Sequence, residues 1–298
     1  MHYAVGDVHG CFTELKKLLV TIEQRDTNAQ FLFVGDFVDR GPEVWETLDW
    51  AKSHISRTGR YRSVLGNHEA MLIDWYEEFC GWYEQRRDSC PAPLPMYDFL
   101  EQAILQKKDS PEALESYMAF FKSLPLKITV RIPGKDKKRV TYDIVHAWVP
   151  PEDVPAPFGA AYYLWDRENA FAGNYENDHV IIHGHTPTHV EYRYLPESVP
   201  GMINYRKNAV NIDGGCVFAP HHKEYPCMLC ALCLETLEEI YACTVEERMR
   251  SQMQEAEEGE REAIAKEYQK RHDIYLHNEY RMEIQERLCQ EQVIPGFC

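Results

Sequence analysis

Short apolar runs alternate with polar, glycine-flanked segments through the first third of the chain. Tyr3-Ala4-Val5, Phe31-Leu32-Phe33-Val34 and Val64-Leu65 have the make-up of buried strands. Between the first two, Phe12, Leu15, Leu18, Leu19 and Ile22 fall on one face of a helix. Pro42 suits the first turn of a second helix, and a third is expected from about Glu69, with Met71, Leu72 and Trp75 on its buried side. This part of the chain therefore reads β-α-β-α-β. The proline-rich run 87–95 breaks the pattern, and helices near 96–107 and 111–123 follow. Residues 69–123 together read as a helical insertion between two sheet halves.

From Leu126 the pattern turns to strands. Runs at 127–132 and 139–145 flank the hairpin signal at 134–138, and the second leads into His146. The segment 149–157, rich in proline, reads as a stiff surface loop. A strand at 179–182 leads into His183-Gly184-His185, and strands at 210–213 and 227–234 complete this half. After about Thr244 the chain becomes charged and helical in pattern. Glu262/Lys266, Glu267/Arg271 and Glu283/Arg287 stand in the favoured i,i+4 order. Leu276, Tyr280, Ile284 and Leu288 form an apolar stripe. Such a stripe most often packs on its own domain; a partner or a second copy of the chain is the alternative.

The polar segments sit where the strands end. They are Gly6-Asp7-Val8-His9-Gly10, Gly35-Asp36-Phe37-Val38-Asp39-Arg40-Gly41 and Gly66-Asn67-His68-Glu69. Enzymes with α/β sheets build their sites at such ends. Carboxylate, imidazole and amide oxygen suit hard or borderline divalent cations. The flanking glycines permit sharp turns and close backbone approach. Ordinary capped turns explain one such block but not three in order, so two metals are expected.

The formal net charge of −16 argues against an extended nucleic-acid surface or an anionic-membrane surface. No apolar run is long enough to span a bilayer, and the N-terminus lacks a basic region followed by an apolar one, so a cytoplasmic protein is expected. In that setting the 10 cysteines are expected as thiols. Cys227, Cys230 and Cys233 have a metal-like C-x-x-C-x-x-C spacing. On a strand, however, residues three apart face opposite sides, so packing is the expectation.

The three blocks, with His146, Leu164-Trp165-Asp166-Arg167-Glu168, His183-Gly184-His185-Thr186 and Asn211-Ile212-Asp213-Gly214-Gly215-Cys216-Val217-Phe218, resemble the signature of the phosphoprotein phosphatase family of calcineurin-like metallophosphoesterases. The match looks closest to the bacteriophage lambda and bacterial serine/threonine phosphatase branch and covers about 1–242. It implies an α/β fold: a β-sandwich of mixed sheets flanked by helices, with a catalytic domain over 1–243. The charged helical extension, 244–298, lies outside the resemblance. It also implies two divalent metal ions, manganese first and iron or zinc as alternatives. Asp7 and His9 would hold one, Asn67, His146 and His185 the other, and Asp36 would bridge them. His68, oriented by Asp39, would be the general acid, while Arg40, Arg167 and Asn67 would bind the phosphate.

The reaction so implied is hydrolysis of phosphoserine or phosphothreonine in a protein or peptide, by in-line attack of a hydroxide shared between the metals. Hydrolysis of dinucleoside tetraphosphates, nucleotides or RNA ends is the alternative. Relatives acting on dinucleoside tetraphosphates often differ at the Asp-Arg of the second block and the Glu of the third, so Asp39, Arg40 and Glu69 favour the protein phosphatase. A non-catalytic scaffold is a third reading, opposed by the presence of all six ligands.

Among the other residues, His183 shares a strand face with His185 and is expected near the ligands without being one. His2 reads as structural, and His189, His221 and His222 read as ordinary loop residues. Trp148 is expected either to line a substrate groove or to pack. Gly214 stands where threonine is common in the family. The segment 219–226 is expected to form a rim near the site.

Overall fold

Strand alternation sorts the core into three layers. The computed structural model describes residues 1–85, 108, 110–134, 138–173, 178–222, 225–243, 245–256, 258–276 and 278–288. In one sheet, β1 (His2–Val5), β2 (Gln30–Phe33) and β3 (Tyr61–Ser63) run parallel. The other sheet holds β4 (Lys127–Pro133), β5 (Arg139–Val145), β6 (Val180–His183), β7 (Asn204–Arg206) and β8 (Ala209–Asn211). The chain then returns to the first sheet with β9 (Cys230–Cys233) and β10 (Glu239–Tyr241). The strand orders are β10-β9-β1-β2-β3 and β4-β5-β6-β8-β7. The second sheet is also mixed: β5, β6 and β8 are parallel, whereas β4–β5 and β7–β8 pair antiparallel.

Odd residues of β1 and β2 (Tyr3, Val5, Phe31, Phe33) face helices; Ala4 and Leu32 face the second sheet, where they join Ile144, Val180, Ile182 and Val210. On the far side of that sheet, Val145, Ile181 and Ala209 pack with Trp148 and Ala170. The helices on the first face are α1 (Phe12–Arg25), α2 (Val44–His54), α3 (Asn67–Gln85) and α4 (Pro111–Ser123). α1 buries Leu15, Leu18, Leu19 and Ile22, the face expected from its periodicity. α4 starts with Pro111 after Ser110, whose hydroxyl accepts the Ala113 N–H at 3.3 Å. The sandwich flanked by helices is thus what the strands build.

Several boundaries differ from the sequence reading. α2 begins at Val44, not Pro42, because the Glu43 N–H is committed to Gly10 O at 2.9 Å and the preceding residues form a turn. The third strand is Tyr61–Ser63, paired with Phe31–Phe33; Val64 and Leu65 follow it. The expected loop at 149–157 gives way to α5 (Ala156–Trp165), and α6 (Glu168–Ala172) and α7 (Thr188–Glu191) follow. The breaker at 87–95 and the helix near 96–107 lie outside the described residues.

The last segment forms α8 (Val245–Glu255), α9 (Glu258–Leu276) and α10 (Glu279–Arg287). Ile284 and Leu288 are buried in the inter-sheet layer with Val130, Ile132 and Val140, and Leu288 bridges Gly134. The apolar stripe therefore turns onto its own chain at these residues. Among the described residues no cysteine forms a disulfide; Cys230 points between the sheets, Cys233 toward the helices, and Cys227 precedes the strand. No helix among the described residues is long and apolar enough to cross a membrane.

Candidate metal centre

Asp7 and His9 follow β1, Asp36 follows β2, Asn67 opens α3, His146 follows β5 and His185 follows β6. Both sheets thus deliver side chains at the carboxyl ends of parallel strands. The loops are tied together: Val8 and His9 donate backbone N–H to Asp36 O at 3.0 and 2.8 Å, and Gly184 donates to His146 O at 2.9 Å. The functional side chains themselves take the left-handed backbone region, with φ of 43° at His9, 53° at Asp36, 67° at Asp39, 68° at Arg40 and 67° at His185. Glycine serves close approach at Gly66, where a Cβ would stand 2.2 Å from Asp36 Oδ1, and at Gly184, where it would stand 2.0 Å from Asp7 Oδ1.

One donor set gathers about His146 Nε2. Asn67 Oδ1 lies 2.7 Å from His146 Nε2 and 2.9 Å from His185 Nδ1; those two nitrogens are 3.2 Å apart, and Asp36 Oδ2 is 3.5 Å from His146 Nε2. Ligands about 2.1 Å from a tetrahedral ion are separated by about 3.4 Å, so Asn67, His146 and His185 lie close enough together to share a cation, with Asp36 beside His146. The other set is built on the same carboxylate. His9 Nε2 lies 3.3 Å from Asp36 Oδ2, and donor atoms of Asp7, Asp36 and His146 fall within 4.8 Å of one another. Asp7 Oδ2 accepts the His185 N–H at 3.0 Å, and the buried Oδ1 has no backbone N–H donor among the described residues.

The imidazoles are held in a form that could bind a cation. His9 Nδ1 donates to Val38 O at 2.7 Å and His146 Nδ1 to Val34 O at 2.8 Å. A carbonyl only accepts, so each Nδ1 carries the hydrogen and each Nε2 presents its lone pair inward. Burial lowers the pKa of both rings, helped at His9 by the neighbouring Arg40. His185 is pushed down to about 2 by burial and by His146 and Arg167. Negative charge is concentrated beside them. Burial, Asp213 and Asp36 raise the Asp7 carboxyl, and burial lifts Asp213 to about 7. At Asp36 burial works upward too, yet His146, His68 and His9 hold it below the usual range. Neutral imidazoles around crowded buried carboxylates are suited to divalent cations.

His68 borders the candidate ligands: donor atoms of His9, Asp36 and His68 fall within 4.8 Å of one another. Its Nδ1 is 2.6 Å from Asp39 Oδ2, and its Nε2 is 4.0 Å from Asp36 Oδ2. Burial lowers its pKa, but Asp36 and Asp39 more than offset this and raise it. Arg40 donates from Nη2 to His68 Nε2 at 2.8 Å and from Nη1 to His9 Nε2. Arg167 donates to Thr186 Oγ1 at 3.1 Å, next to His185. Asp7, His9, Asp36, Asp39, Arg40, Asn67, His68, His146, Arg167 and His185, the candidates for metal, acid and phosphate roles, thus lie near one another.

Two expectations change, at His183 and His189, and at Trp148 the second of two alternatives holds. His183 ends β6, and the left-handed turn at His185 breaks strand parity, so His183 faces Trp148 in the outer layer, ring centroids 5.7 Å apart. Trp148 packs, only 2% exposed. His189 is buried against Phe218, His222 and Tyr225. His2 is structural as expected, pairing with Glu235 at 2.7 Å. Two carboxylates named only as parts of motifs turn out to have places in the site. Glu69 is fully buried and accepts N–H groups from Asp36, Gly66, Phe37 and Val38. Asp213 accepts the Gly215 N–H at 3.0 Å while crowding Asp7. An acidic residue inside the apolar stretch around Asn211-Ile212-Asp213 was the available signal.

The sequence pattern of the calcineurin-like phosphoesterases matches residues 3–189. A symmetrical bis(5'-nucleosyl)-tetraphosphatase of Coxiella burnetii (strain Dugway 5J108-111) is 34% identical over 150 residues, 50% of this chain and 42% of the relative. Its namesake from Shewanella sp. (strain MR-4) is 43% identical over 72 residues, 24% of this chain and 25% of the relative. The matched stretch thus spans less than half of either relative. Among solved structures, a metallophosphoesterase from Sphaerobacter thermophilus is 18% identical, with a TM-score of 0.47, covering 89% of this chain and 97% of that one.

Proposed function

The chain belongs to the calcineurin-like phosphoesterase family, and from that premise we propose a dimetal phosphohydrolase acting on bis(5'-nucleosyl) tetraphosphates. The observation that carries the hydrolase reading is the convergence of two donor sets on Asp36. The names of the relatives support the substrate class and move it from the protein phosphatase expected first to the alternative.

Asp7, His9 and Asp36 would hold one divalent ion, and Asp36, Asn67, His146 and His185 the second; manganese is the expected metal. Such a pair supplies an acidified water and neutralises charge on the phosphate. The chain does the rest. Arg40 and Arg167 approach from the side of His68 and His185, and their guanidinium forks match phosphate oxygens in pairs. Arg40 moving onto the phosphate leaves His68 Nε2 open. With Nδ1 held by Asp39 and its pKa raised, His68 then carries a proton to the leaving oxygen.

That proton donor favours a second reading, hydrolysis of phosphoserine or phosphothreonine. An alkoxide leaving group needs a proton far more than a nucleotide phosphate does. The test is a manganese-supplemented comparison of diadenosine tetraphosphate with a phosphoserine peptide. A kcat/KM at least about tenfold higher for the dinucleotide is expected; the reverse order would replace the first reading by the second.

A further inference from the structure

The first helix of the C-terminal segment is joined to the rim of the centre. Arg248 and Gln252 stand one turn apart on α8. Arg248 donates from Nε to Pro226 O at 3.1 Å and from Nη2 to Ala219 O at 2.5 Å. Gln252, 3% exposed, donates from Nε2 to His222 O at 3.2 Å and to Tyr225 O at 2.6 Å. Two side chains thus grip carbonyls at both ends of the 219–226 segment.

This segment continues from the short 3-10 turn Cys216–Phe218. The Phe218 ring lies 5.7 Å from the Arg40 guanidinium carbon and 5.0 Å from the His189 ring. Pro220 and His221 stand exposed beyond it. Behind the rim is a cavity of about 230 Å³, lined by Cys11, Pro42, Cys216, Pro220, Arg248 and Gln252. Where close packing is interrupted, hydrogen bonds must fix position.

We propose that α8 braces the rim against which an extended substrate lies, with Arg248 and Gln252 as positioning residues. The inference rests on the phosphohydrolase reading and assigns the C-terminal segment a part in it. A small phosphate ester reaches only the ligands, His68 and the arginines. A dinucleotide also covers the rim beside Phe218, so only the latter senses the brace.

The test uses the full chain loaded with manganese. Gln252→Glu keeps the size of the side chain but, once ionised, cannot donate to carbonyls. Arg248→Ala removes the other pair of bonds, and Arg248→Lys restores donors. Gln252→Glu and Arg248→Ala are expected to raise KM for diadenosine tetraphosphate about fivefold, to leave kcat/KM for p-nitrophenyl phosphate within about twofold, and to be rescued at position 248 by lysine. Hydrogen exchange at 219–226 should rise in both, with metal content unchanged. An unchanged KM for the dinucleotide, an equal loss on both substrates accompanied by metal loss, or unchanged exchange would overturn the brace. A wild-type chain that hydrolyses neither substrate would fail the functional reading instead, while exchange at the rim still decides the brace.

Discussion

Glu69 Oε2 accepts the backbone N–H of Asp36 at 3.0 Å, so an acid of the third polar block sets the backbone of the second. The same oxygen takes the Gly66 N–H at 3.1 Å, and Oε1 takes those of Phe37 and Val38 at 2.7 and 3.2 Å. The four bonds given for Glu69 all go to backbone N–H groups, and they fix the backbone of Asp36, whose carboxylate both donor sets share. Glu69→Gln turns one acceptor toward N–H groups into a donor. Metal affinity should fall about 10- to 100-fold, the size typical of lost outer partners. Chelator competition checks this; wild-type affinity in the variant would remove Glu69 from the site.

Asp36 and His68 should separate when each is replaced. Asp36→Asn takes the common charge from both donor sets and is expected to lose bound metal and activity together. His68→Asn leaves both sets in place, so metal content should hold while kcat falls about 10²- to 10⁴-fold. Elemental analysis beside turnover reads both. Chelation of the wild type should abolish turnover, and added manganese should restore it. Full metal and activity in Asp36→Asn would end the bridging assignment.

Gly184→Ala tests a contact of one atom. The new Cβ would meet Asp7 Oδ1 at 2.0 Å, far inside van der Waals contact. Either Asp7 turns or the β6 loop shifts, and overpacking of this kind costs about 1–3 kcal/mol. Reduced metal content with a folded chain is the expected result. A variant with its full complement of metal would show that Asp7 can retreat without leaving the site.

Acid should weaken the fold through His183. Burial lowers its pKa to about 4, against 6.5 ordinarily. Between those values the unfolded chain binds a proton there and the folded chain does not. Stability from this group is therefore complete above pH 6.5 and falls as pH drops, by about 1.4 kcal/mol per unit. Going from pH 7 to 5 should cost the wild type about 2 kcal/mol more than His183→Leu. Urea unfolding of the metal-free proteins at the two pH values measures the difference; parallel losses would refute it.

Ile284 ties α10 to the inter-sheet core, fully buried. Ile284→Ala should cost about 2–5 kcal/mol, whereas Met282→Ala, at a position 48% exposed, should cost little. Thermal unfolding of the two distinguishes a helix that belongs to the fold from one that merely follows it.

Much of the centre was legible because its residues sit in short polar blocks directly after apolar runs. Asp7, His9, Asp36 and Asn67 are placed by the strand or helix boundary beside them. His183 shows where that logic ends: period-two alternation holds only while the strand lasts, and the turn at Gly184 and His185 resets it. Glu69 was visible as a motif residue, but not its role, which is exercised on backbone N–H groups more than 30 residues away; no local pattern encodes such a contact. The brace from Arg248 and Gln252 was hidden for the same reason. The stripe at Tyr280, Ile284 and Leu288 was visible as amphipathic, but its destination depended on an open edge of the sandwich near Gly134 that periodicity does not describe.

The left-handed backbone at His9, Asp36, Asp39, Arg40 and His185 has a consequence for heat resistance. Each such residue costs about 1–3 kcal/mol, and here the costs fall within one cluster of loops. A cation that binds only the folded arrangement stabilises it by mass action. The melting temperature should therefore climb with the logarithm of free cation concentration. The loops would serve as a thermodynamic gauge of metal supply, tying the lifetime of the protein to the ion it needs.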